Sequence, residues 1–377
     1  MHRSAALLAV SLLAAACSSS SASPAEGAAA PTYAEPFTIA ALQSERLGSY
    51  NSNFEHKGQL FADVDWGAAP IASALLTVDL DSPCFPFTKW KADPPPSGQN
   101  WPADCDAFDR NFSVYLDDAP PPSDAGVAGD AAPPPPAYEV AHAITPFGGP
   151  EHLEIDLTDL ANALPGKHRL RVDISSWSDG AGQSTGSNGS WIVSAKLDVT
   201  PGPAPRKVLA AIPVLAASLG SDAQLPFSAS FVAPEGTTHG RLEYRTSGHG
   251  GGSTAGDSDC IGPAEEFCHR AHTVEVDGTA VPAFDPWRED CADLCTETPT
   301  PSGTQTYCLE NPCGAIQSVQ APRANWCPGS MTAPFAWTDA DVAALGAPGA
   351  HTASIDVSKI AGGGSWLVSA IYYAYGD

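Results

Sequence analysis

The sequence predicts an all-β protein that is built from two similar domains. Short runs of β-branched and aromatic residues, separated by Gly, Pro, Asp and Ser, follow one another along most of the 377-residue chain, and such runs are typical of strands. The spacing of apolar residues that marks long helices appears only briefly. In addition, the second half repeats sequence blocks of the first half in the same order, and the length suits two domains.

The repeated blocks lie towards the end of each half. In the first half they are Thr158-Asp159, Pro165-Gly166-Lys167-His168, Val172-Asp173-Ile174-Ser175 and Gly189-Ser190-Trp191-Ile192-Val193-Ser194-Ala195. In the second half they are Thr338-Asp339, Pro348-Gly349-Ala350-His351, Ile355-Asp356-Val357-Ser358 and Gly364-Ser365-Trp366-Leu367-Val368-Ser369-Ala370. The spacing differs mainly by a glycine-rich insert after Trp177. We therefore expect duplicated domains that end on the same kind of strand.

The strand-like runs are interrupted at recognisable places. They are Ala74–Asp79, Phe112–Leu116, Tyr138–Thr145, Leu153–Leu157, Leu170–Ile174, Trp191–Val199, Lys207–Val214, Ser228–Val232, Leu242–Arg245, Thr273–Val276, Ala353–Val357 and Trp366–Tyr373. Proline-rich inserts near Pro94–Pro96 and from Asp118 to Pro136 predict surface loops. The segment Pro201–Pro205 is a linker signal. We predict an export signal over 1–17, a flexible tether over 18–36, and domains over 37–201 and 202–377.

The N-terminus predicts export from a bacterial cytoplasm. Arg3 precedes a short apolar stretch and then small residues, the pattern of a signal peptide. The segment Leu13–Cys17 is similar to a lipoprotein processing site, which makes Cys17 the expected lipid anchor and the only predicted contact with a membrane. We expect an outer-membrane or cell-surface lipoprotein, with simple secretion as the alternative.

Nine cysteines follow Cys17, and in an exported chain they predict disulfides rather than zinc ligands. Because nine is odd, at least one of them stays unpaired within the chain. No metal ligand set and no cofactor are predicted.

The formal net charge of −25 argues against a nucleic-acid partner, because phosphate backbones are bound by clusters of Lys and Arg. The sequence shows no basic run that would reverse that balance. A neutral ligand such as a glycan is compatible with it.

Two patterns suggest other chemistry, and both are poor matches. Gly182-Gln183-Ser184-Thr185-Gly186 fits a serine-hydrolase elbow, and His249-Gly250-Gly251-Gly252 fits an oxyanion loop. Their order along the chain is reversed and no helix follows Ser184, whereas the elbow requires a strand, a turn and a helix. His269 and His272, three apart on a predicted strand, would face opposite sides and suit one metal poorly.

Three segments place a charged group beside an aromatic residue and a cysteine. They are Cys105-Asp106-Ala107-Phe108-Asp109-Arg110, Glu265-Glu266-Phe267-Cys268-His269-Arg270-Ala271-His272-Thr273 and Arg323-Ala324-Asn325-Trp326-Cys327-Pro328-Gly329. Disulfide-stiffened loops with aromatic rings to hold a sugar and carboxylates to move protons would suit a glycan-processing site.

Together the three segments resemble the peptide-N-glycosidase F family, and the likeness spans most of residues 73–377. It implies two tandem eight-stranded antiparallel jelly-roll sandwiches, packed side by side, with the site in the cleft between them. It also implies hydrolysis of the amide between asparagine and the first N-acetylglucosamine of an N-linked glycan, without a metal. The expected partners are N-glycoproteins or N-glycopeptides, and the chain is expected to be a monomer.

The resemblance also assigns site residues. The family's catalytic aspartate and glutamate fall on Asp109 and Glu266. A cleft tryptophan falls on Trp177, and we expect Trp177 and Trp326 to stack on sugar rings. Arg110 and Arg323 are expected to hold the carboxylates by charge-assisted hydrogen bonds.

One departure from the family pattern leaves alternatives open. The family carries an acidic residue two positions before the cleft tryptophan, and here Ser175 stands there. A non-catalytic glycan-binding lipoprotein on the same fold is therefore one alternative. A copper monooxygenase on a related pair of sandwiches is another, although the chain after Cys17 has a single methionine, Met331.

Overall fold

The computed structural model describes residues 32–68, 70–117, 137–252, 254–300, 303 and 305–377. The predicted export signal with Cys17, most of the 18–36 tether and the insert from 118 to 136 lie outside these residues. Within the described part of the chain, no helix is long and apolar enough to cross a membrane.

The first half consists of strands with one short helix and a 3-10 turn at Phe87–Lys91. The elements are β1 (Phe37–Gly48), β2 (His56–Lys57), β3 (Gln59–Asp65), β4 (Ile71–Asp81), β5 (Asn111–Asp117), β6 (Tyr138–Ile144), β7 (Glu151–Asp156), α1 (Thr158–Ala163), β8 (Lys167–Ile174) and β9 (Ser190–Pro201).

The second half has the same character, with 3-10 turns at Glu265–Phe267, Asp290–Leu294 and Ala343–Gly346. The elements are β10 (Lys207–Gly220), β11 (Phe227–Ala233), β12 (His239–Gly250), β13 (His272–Val276), β14 (Thr279–Ala280), β15 (Glu297–Pro299), β16 (Thr306–Cys308), α2 (Ile316–Val319), β17 (Ser330–Met331), β18 (Phe335–Thr338), β19 (Gly349–Val357) and β20 (Gly364–Gly376).

The two halves have the same strand order, which confirms the duplication. In the first half the sheets run β1-β9-β4-β7 and β3-β8-β5-β6, and in the second half they run β10-β20-β12-β18 and β11-β19-β13-β14. The strands within these sheets are antiparallel, and β2 adds a short parallel pair at the edge of β1. The protein is therefore two eight-stranded antiparallel jelly-roll sandwiches, as predicted.

The repeated sequence blocks have the same structural role in both domains. Trp191 on β9 and Trp366 on β20 are fully buried in their cores. His168 Nε2 hydrogen-bonds the carbonyl of Leu164 at 2.9 Å, and His351 Nε2 hydrogen-bonds that of Ala347 at the same distance. The similarity of sequence thus reflects positions that each sandwich needs in order to close.

The sandwiches pack side by side because the outer face of one sheet is apolar. On β20, Ile371, Tyr373 and Tyr375 point away from their own core and join the core cluster of the first domain, while Tyr372 belongs to the core of the second. The two-residue β17 pairs with β6 and so adds an edge strand from the second half to a sheet of the first. The interface therefore contains both buried apolar surface and backbone pairing.

Among the cysteines that the structure describes, eight form four disulfides in the loops and one is unpaired. The bonds join Cys84 to Cys105, Cys260 to Cys268, Cys291 to Cys327 and Cys295 to Cys308, and Cys313 is free. The prediction of disulfides with an odd cysteine left over is confirmed. Such a set is typical of a protein that folds outside the cytoplasm.

Candidate active site

Asp109 lies in the loop that enters β5, close to the Cys84–Cys105 disulfide. The loop is held by the fully buried Asp106, whose carboxylate accepts hydrogen bonds of 2.9–3.1 Å from Arg110. The backbone N–H of Arg110 donates to Thr145 Oγ1 at 2.9 Å. These contacts leave Asp109 half-buried at the end of the strand.

Arg110 differs in its partner from the prediction. We expected it to hold a catalytic carboxylate, but its guanidinium pairs with Asp106 and donates to the Trp177 carbonyl at 2.6 Å. Asp106 is fully buried, so an arginine is needed to neutralise it. Arg110 thus connects the Asp109 loop to the segment that carries Trp177.

Glu266 sits on the 3-10 turn before β13, next to an acidic residue with a different task. Glu265 is fully buried and accepts hydrogen bonds from Arg270, the Ala361 N–H and Trp366 Nε1. Glu266 keeps a quarter of its side chain exposed and accepts from Arg323 Nη1 at 2.9 Å. Glu265 therefore supports the fold, whereas Glu266 is accessible to a ligand.

Arg323 holds Glu266 as predicted and is itself completely buried. Its second nitrogen donates to the carbonyl and the hydroxyl of Ser318 at 2.8 and 3.0 Å. Its guanidinium also lies over the rings of Phe267 and Trp326. Because all these contacts fix its position, Arg323 presents a rigid charge to Glu266.

The stacking role predicted for Trp326 is wrong. Only 1% of the residue is exposed, its indole N–H donates to the Gly248 carbonyl at 2.8 Å, and Arg323 and His249 cover its ring. A sugar ring needs an open aromatic face, and Trp326 has none to offer. It forms the floor of the site instead.

Five of the seven predicted site residues line one pocket of about 220 Å³ between the domains. The first domain provides the Asp109 side of this pocket and the second provides Glu266. Its lining residues are Asp109, Arg110, Asn111, Ile144, Ser175, His249, Glu266 and Trp326. Arg323 lies behind Glu266, and Trp177 lies beyond the lining.

The environment of Asp109 is suited to proton transfer. Burial raises the pKa of its carboxyl, Arg323 and Arg110 lower it, Glu266 raises it, and the result is about 6. A carboxyl with a pKa near the working pH can take up and release a proton readily. Desolvation is the largest cause of the increase in this pKa, and the charge of Glu266 adds to it.

Ser175 and Trp177 are exposed on the segment after β8. The residues that alternate with them, Ile174, Ser176 and Ser178, are buried. The backbone N–H of Ser175 donates to the Asn111 carbonyl at 3.0 Å, which keeps this segment beside the Asp109 loop. Trp177 is 54% exposed. It is the predicted aromatic residue that offers an open face near the pocket.

His249 is a pocket residue that the sequence reasoning did not assign to this site. It starts a chain of hydrogen bonds that crosses the interface, from His249 Nε2 to Ser247 Oγ at 2.6 Å, to His142 Nε2 at 2.6 Å, and from His142 Nδ1 to Glu139 at 3.0 Å. Burial, then the charges of His142 and Arg323, lower the pKa of His249 to about 3. The alternation of polar residues along β12 was the sequence signal that could have indicated His249.

The two rejected patterns have structural explanations. The loop around Ser184 is organised by Asp179, whose carboxylate accepts the backbone N–H groups of residues 181–184 at 2.5–2.9 Å. His269 pairs with the exposed Asp285, whereas His272 is buried against Tyr244. Neither arrangement forms a catalytic elbow or brings the two imidazoles together.

Comparison with known proteins gives a consistent result. Residues 220–373 match the family model described as peptide-N-glycosidase F, C terminal. No curated protein sequence matches the chain.

Solved structures of similar fold extend the likeness to the first domain. The structure titled recombinant peptide:N-glycanase F (PNGase F) is 16% identical, with a TM-score of 0.62 over 91% of this chain and 96% of that one. PNGase F described as a glycosylasparaginase from Flavobacterium meningosepticum has the same values. PNGF-II is 18% identical with a TM-score of 0.62 over 91% of this chain, which spans only 66% of the PNGF-II chain.

The predicted resemblance is thereby confirmed for both sandwiches together, although identities this low establish the fold and leave the activity open. The shared strand order places the Asp109 loop and the Glu266 turn on the two sides of one cleft. Residues 220–373 match the model of the peptide-N-glycosidase F C-terminal family, and the described chain as a whole has the peptide-N-glycosidase F fold.

Proposed function

We propose that this protein is an amidase that hydrolyses the bond between asparagine and the first N-acetylglucosamine of N-linked glycans. The observation that carries the proposal is the pairing of two carboxylates from different domains in one pocket, one of them with a pKa of about 6. In this reaction water adds to the side-chain carbonyl of asparagine. The C–N bond then breaks, which leaves aspartate on the peptide and a glycosylamine on the sugar.

The proposed roles follow from the contacts. Asp109 accepts a proton from the attacking water, because its ionised form has a basicity suited to neutral pH. Glu266 orients that water from the opposite domain with one carboxylate oxygen. Arg323 holds the other carboxylate oxygen of Glu266 in place. Trp177 offers its exposed face to a sugar ring.

The first experiment is mass spectrometry of a short N-glycopeptide that is incubated with the purified protein in ¹⁸O-labelled water. We expect loss of the intact glycan and conversion of Asn to Asp with one oxygen from the solvent. The Asp109→Asn variant should lose turnover by at least about 10²-fold. Asp63→Asn, an exposed carboxylate on β3 at the end of the strand away from the site, should behave as the wild type. Equal activity of both variants would exclude Asp109 as the catalytic base.

Glycan binding without catalysis is the second candidate, because Ser175 occupies a pocket position where the family has an acidic residue. Binding of the glycopeptide with no product between pH 5 and 9 would favour it. The variant Ser175→Asp separates the two proposals. If the protein is an amidase that merely lacks one tuning acid, the substitution should increase kcat/KM, whereas a dedicated binder should stay inactive.

A further inference from the structure

A row of hydrogen-bonded side chains runs from the candidate active site into the domain interface. It begins at His249, which lines the pocket between the domains. Its Nε2 lies 2.6 Å from Ser247 Oγ, and the same oxygen lies 2.6 Å from His142 Nε2 on β6. His142 Nδ1 lies 3.0 Å from Glu139 Oε1. Ser247, His142 and Glu139 are buried, and together they form the buried chain behind His249.

The serine hydroxyl forces the two imidazole rings into opposite roles. Ser247 has one hydrogen and lies between two ring nitrogens, so it donates to one of them and accepts from the other. One of the two Nε2 atoms therefore carries a hydrogen and the other does not. The protonation of His142 thus determines which nitrogen of a neutral His249 carries its hydrogen.

The environment of His142 favours the doubly protonated ring. Burial would raise the pKa of the Glu139 carboxyl, but the charge of His142 and the hydrogen bonds that the carboxylate accepts lower it to about 2. Among the described residues, Glu139 forms an ion pair with His142 alone. The other neighbour of His142 Nδ1 is the neutral hydroxyl of Ser113 at 3.2 Å. Because a buried carboxylate without a counter-charge is costly, the imidazolium is the favoured partner.

His249 has the opposite character and stays neutral. Burial, then the charges of His142 and Arg323, lower its pKa to about 3. Since His142 Nε2–H donates to Ser247, the serine hydroxyl donates to His249 Nε2, and the hydrogen of His249 is on Nδ1. That atom has no hydrogen-bond partner among the described residues and is not one of their enclosed unpartnered atoms. A ligand in the pocket can therefore reach it.

We propose that the Nδ1–H group of His249 donates a hydrogen bond to the oxygen on which negative charge develops during amide hydrolysis. This role rests on the proposed amidase function. When water adds to the carbonyl carbon of the asparagine side chain, its proton passes to Asp109 and the π electron pair moves to the carbonyl oxygen. His249 stabilises that oxyanion without giving up its hydrogen. When the carbonyl re-forms, the C–N bond breaks, and the leaving nitrogen takes its electron pair and the proton from Asp109.

A neutral imidazole with a charged group behind it suits this step. A charged His249 would itself be an acid, whereas the neutral ring leaves the proton transfer to Asp109. The imidazolium of His142 lies two hydrogen bonds away, and it polarises each donor of the row towards the pocket. His249 is thus a catalytic residue, and the buried chain positions its hydrogen.

The tautomer of His249 is measured first and without substrate. ¹⁵N NMR of the protein labelled at its histidine ring nitrogens reports which nitrogen carries the hydrogen at neutral pH, and His249→Leu assigns the signal. We expect a neutral ring with hydrogen on Nδ1. Hydrogen on Nε2, or a charged ring, would overturn the proposal.

Glu139→Gln tests the control of this polarity. The amide removes the counter-charge, so His142 should become neutral and keep its hydrogen on Nδ1. Ser247 then donates to His142, and the hydrogen of His249 should move to Nε2. A merely structural role of Glu139 would not reverse a tautomer. Glu154→Gln, at an exposed glutamate on β7 of the same domain, is the matched control and should keep the hydrogen on Nδ1.

Ser247→Ala decides the question if Glu139→Gln does not fold. It removes one oxygen from the row, and His249 should then populate both neutral tautomers. A ring that keeps its hydrogen on Nδ1 alone in this variant would show that the buried chain does not position it.

Kinetics with the N-glycopeptide connect the hydrogen bond to catalysis. His249→Leu should lower kcat about 10²–10³-fold with little change in KM, and Ser247→Ala should lower kcat about tenfold. An active wild type together with an unchanged kcat in His249→Leu would overturn this inference alone. A wild type that cuts no glycopeptide would overturn the amidase function and the role of His249 with it.

Discussion

At the scale of single residues, the protein keeps a carboxylate where solvation does not favour it. Asp109 is half-buried beside a second acid, and its pKa of about 6 is the net result of burial and Glu266 against two arginines. Carboxylates at the surface of the fold have no such conflict. At Asp109, the burial that suits the proposed proton transfer also makes the ionised carboxylate costly for the stability of the fold.

The pH dependence of the reaction should report this environment. Because Asp109 is proposed to act as a base, kcat/KM should rise with pH through an apparent pKa of about 6. In Glu266→Gln the remaining activity should be roughly 10²-fold lower. The acidic limb of the pH profile of kcat/KM should also move to lower pH in this variant, because the negative charge of Glu266, which raises the pKa of Asp109, is gone. A limb that stays in place in this variant would show that another group titrates.

The same group should make stability depend on pH. The folded-state pKa of Asp109 is raised from 3.8 to about 6. The contribution of this group to the free energy of unfolding is therefore fully present below pH 4 and is lost as the pH rises through 6. At pH 8 the ionised group costs up to about 3 kcal/mol. Asp109→Asn should therefore unfold at higher denaturant concentration than the wild type at pH 8, with little difference at pH 4. A variant that is less stable at both pH values would refute this reading.

At the scale of elements, β12 connects the two parts of the molecule. Its inner residues Leu242 and Tyr244 fill the core of the second domain. Its outer face carries Arg241 and Arg245 towards one end and His249 at the other. Near the site, Gly248 donates to the Ala324 carbonyl and accepts from Trp326 Nε1. The strand β12 and the Arg323–Trp326 loop thus approach each other more closely than a side chain at position 248 would allow.

The variant Gly248→Ala tests this close approach. An added Cβ would lie 2.7 Å from the Ala324 Cβ and 2.9 Å from the Trp366 ring, so the loop has to move. We expect a loss of about 1–3 kcal/mol in the free energy of unfolding, measured in urea, together with reduced turnover because Arg323 shifts with the loop. The control is Gly362→Ala, at a glycine whose Cβ would meet nothing within 4 Å.

The strand β1 shows why an element can escape prediction. β1 has register shifts after Ala40 and Leu42, and Ser44 adopts a positive φ of 56°. These irregularities break the alternation of apolar and polar residues on which strand prediction depends. The predicted run Leu170–Ile174, which keeps its alternation, lies within β8.

At the scale of the whole molecule, the two sandwiches share a surface that neither can expose to water without cost. Ala211, Ile371, Tyr373 and Tyr375 of the second half are buried in the core cluster of the first. The Tyr138 hydroxyl donates to the Ala211 carbonyl across the same interface at 3.0 Å. The division of the chain at residues 201 and 202, and the monomeric state, stay predictions.

Separating the halves should reveal this dependence. When residues 202–377 are expressed alone, we expect aggregation, because the aromatic face of β20 becomes exposed. Co-expression with residues 32–201 should yield a soluble complex in size-exclusion chromatography. A monodisperse second half with cooperative unfolding would show instead that the interface contributes little.

The sequence by itself determined the all-β class, most of the strands, the duplication, the disulfide chemistry and, through a resemblance, the residues of the candidate site. These features depend on local alternation and on short motifs, which a linear sequence displays directly. Only the tertiary structure decided that Arg110 pairs with Asp106, that Trp326 is covered, and that His249 joins the pocket. Each of these depends on which loops meet across the domain interface, and that is a property of packing between distant segments.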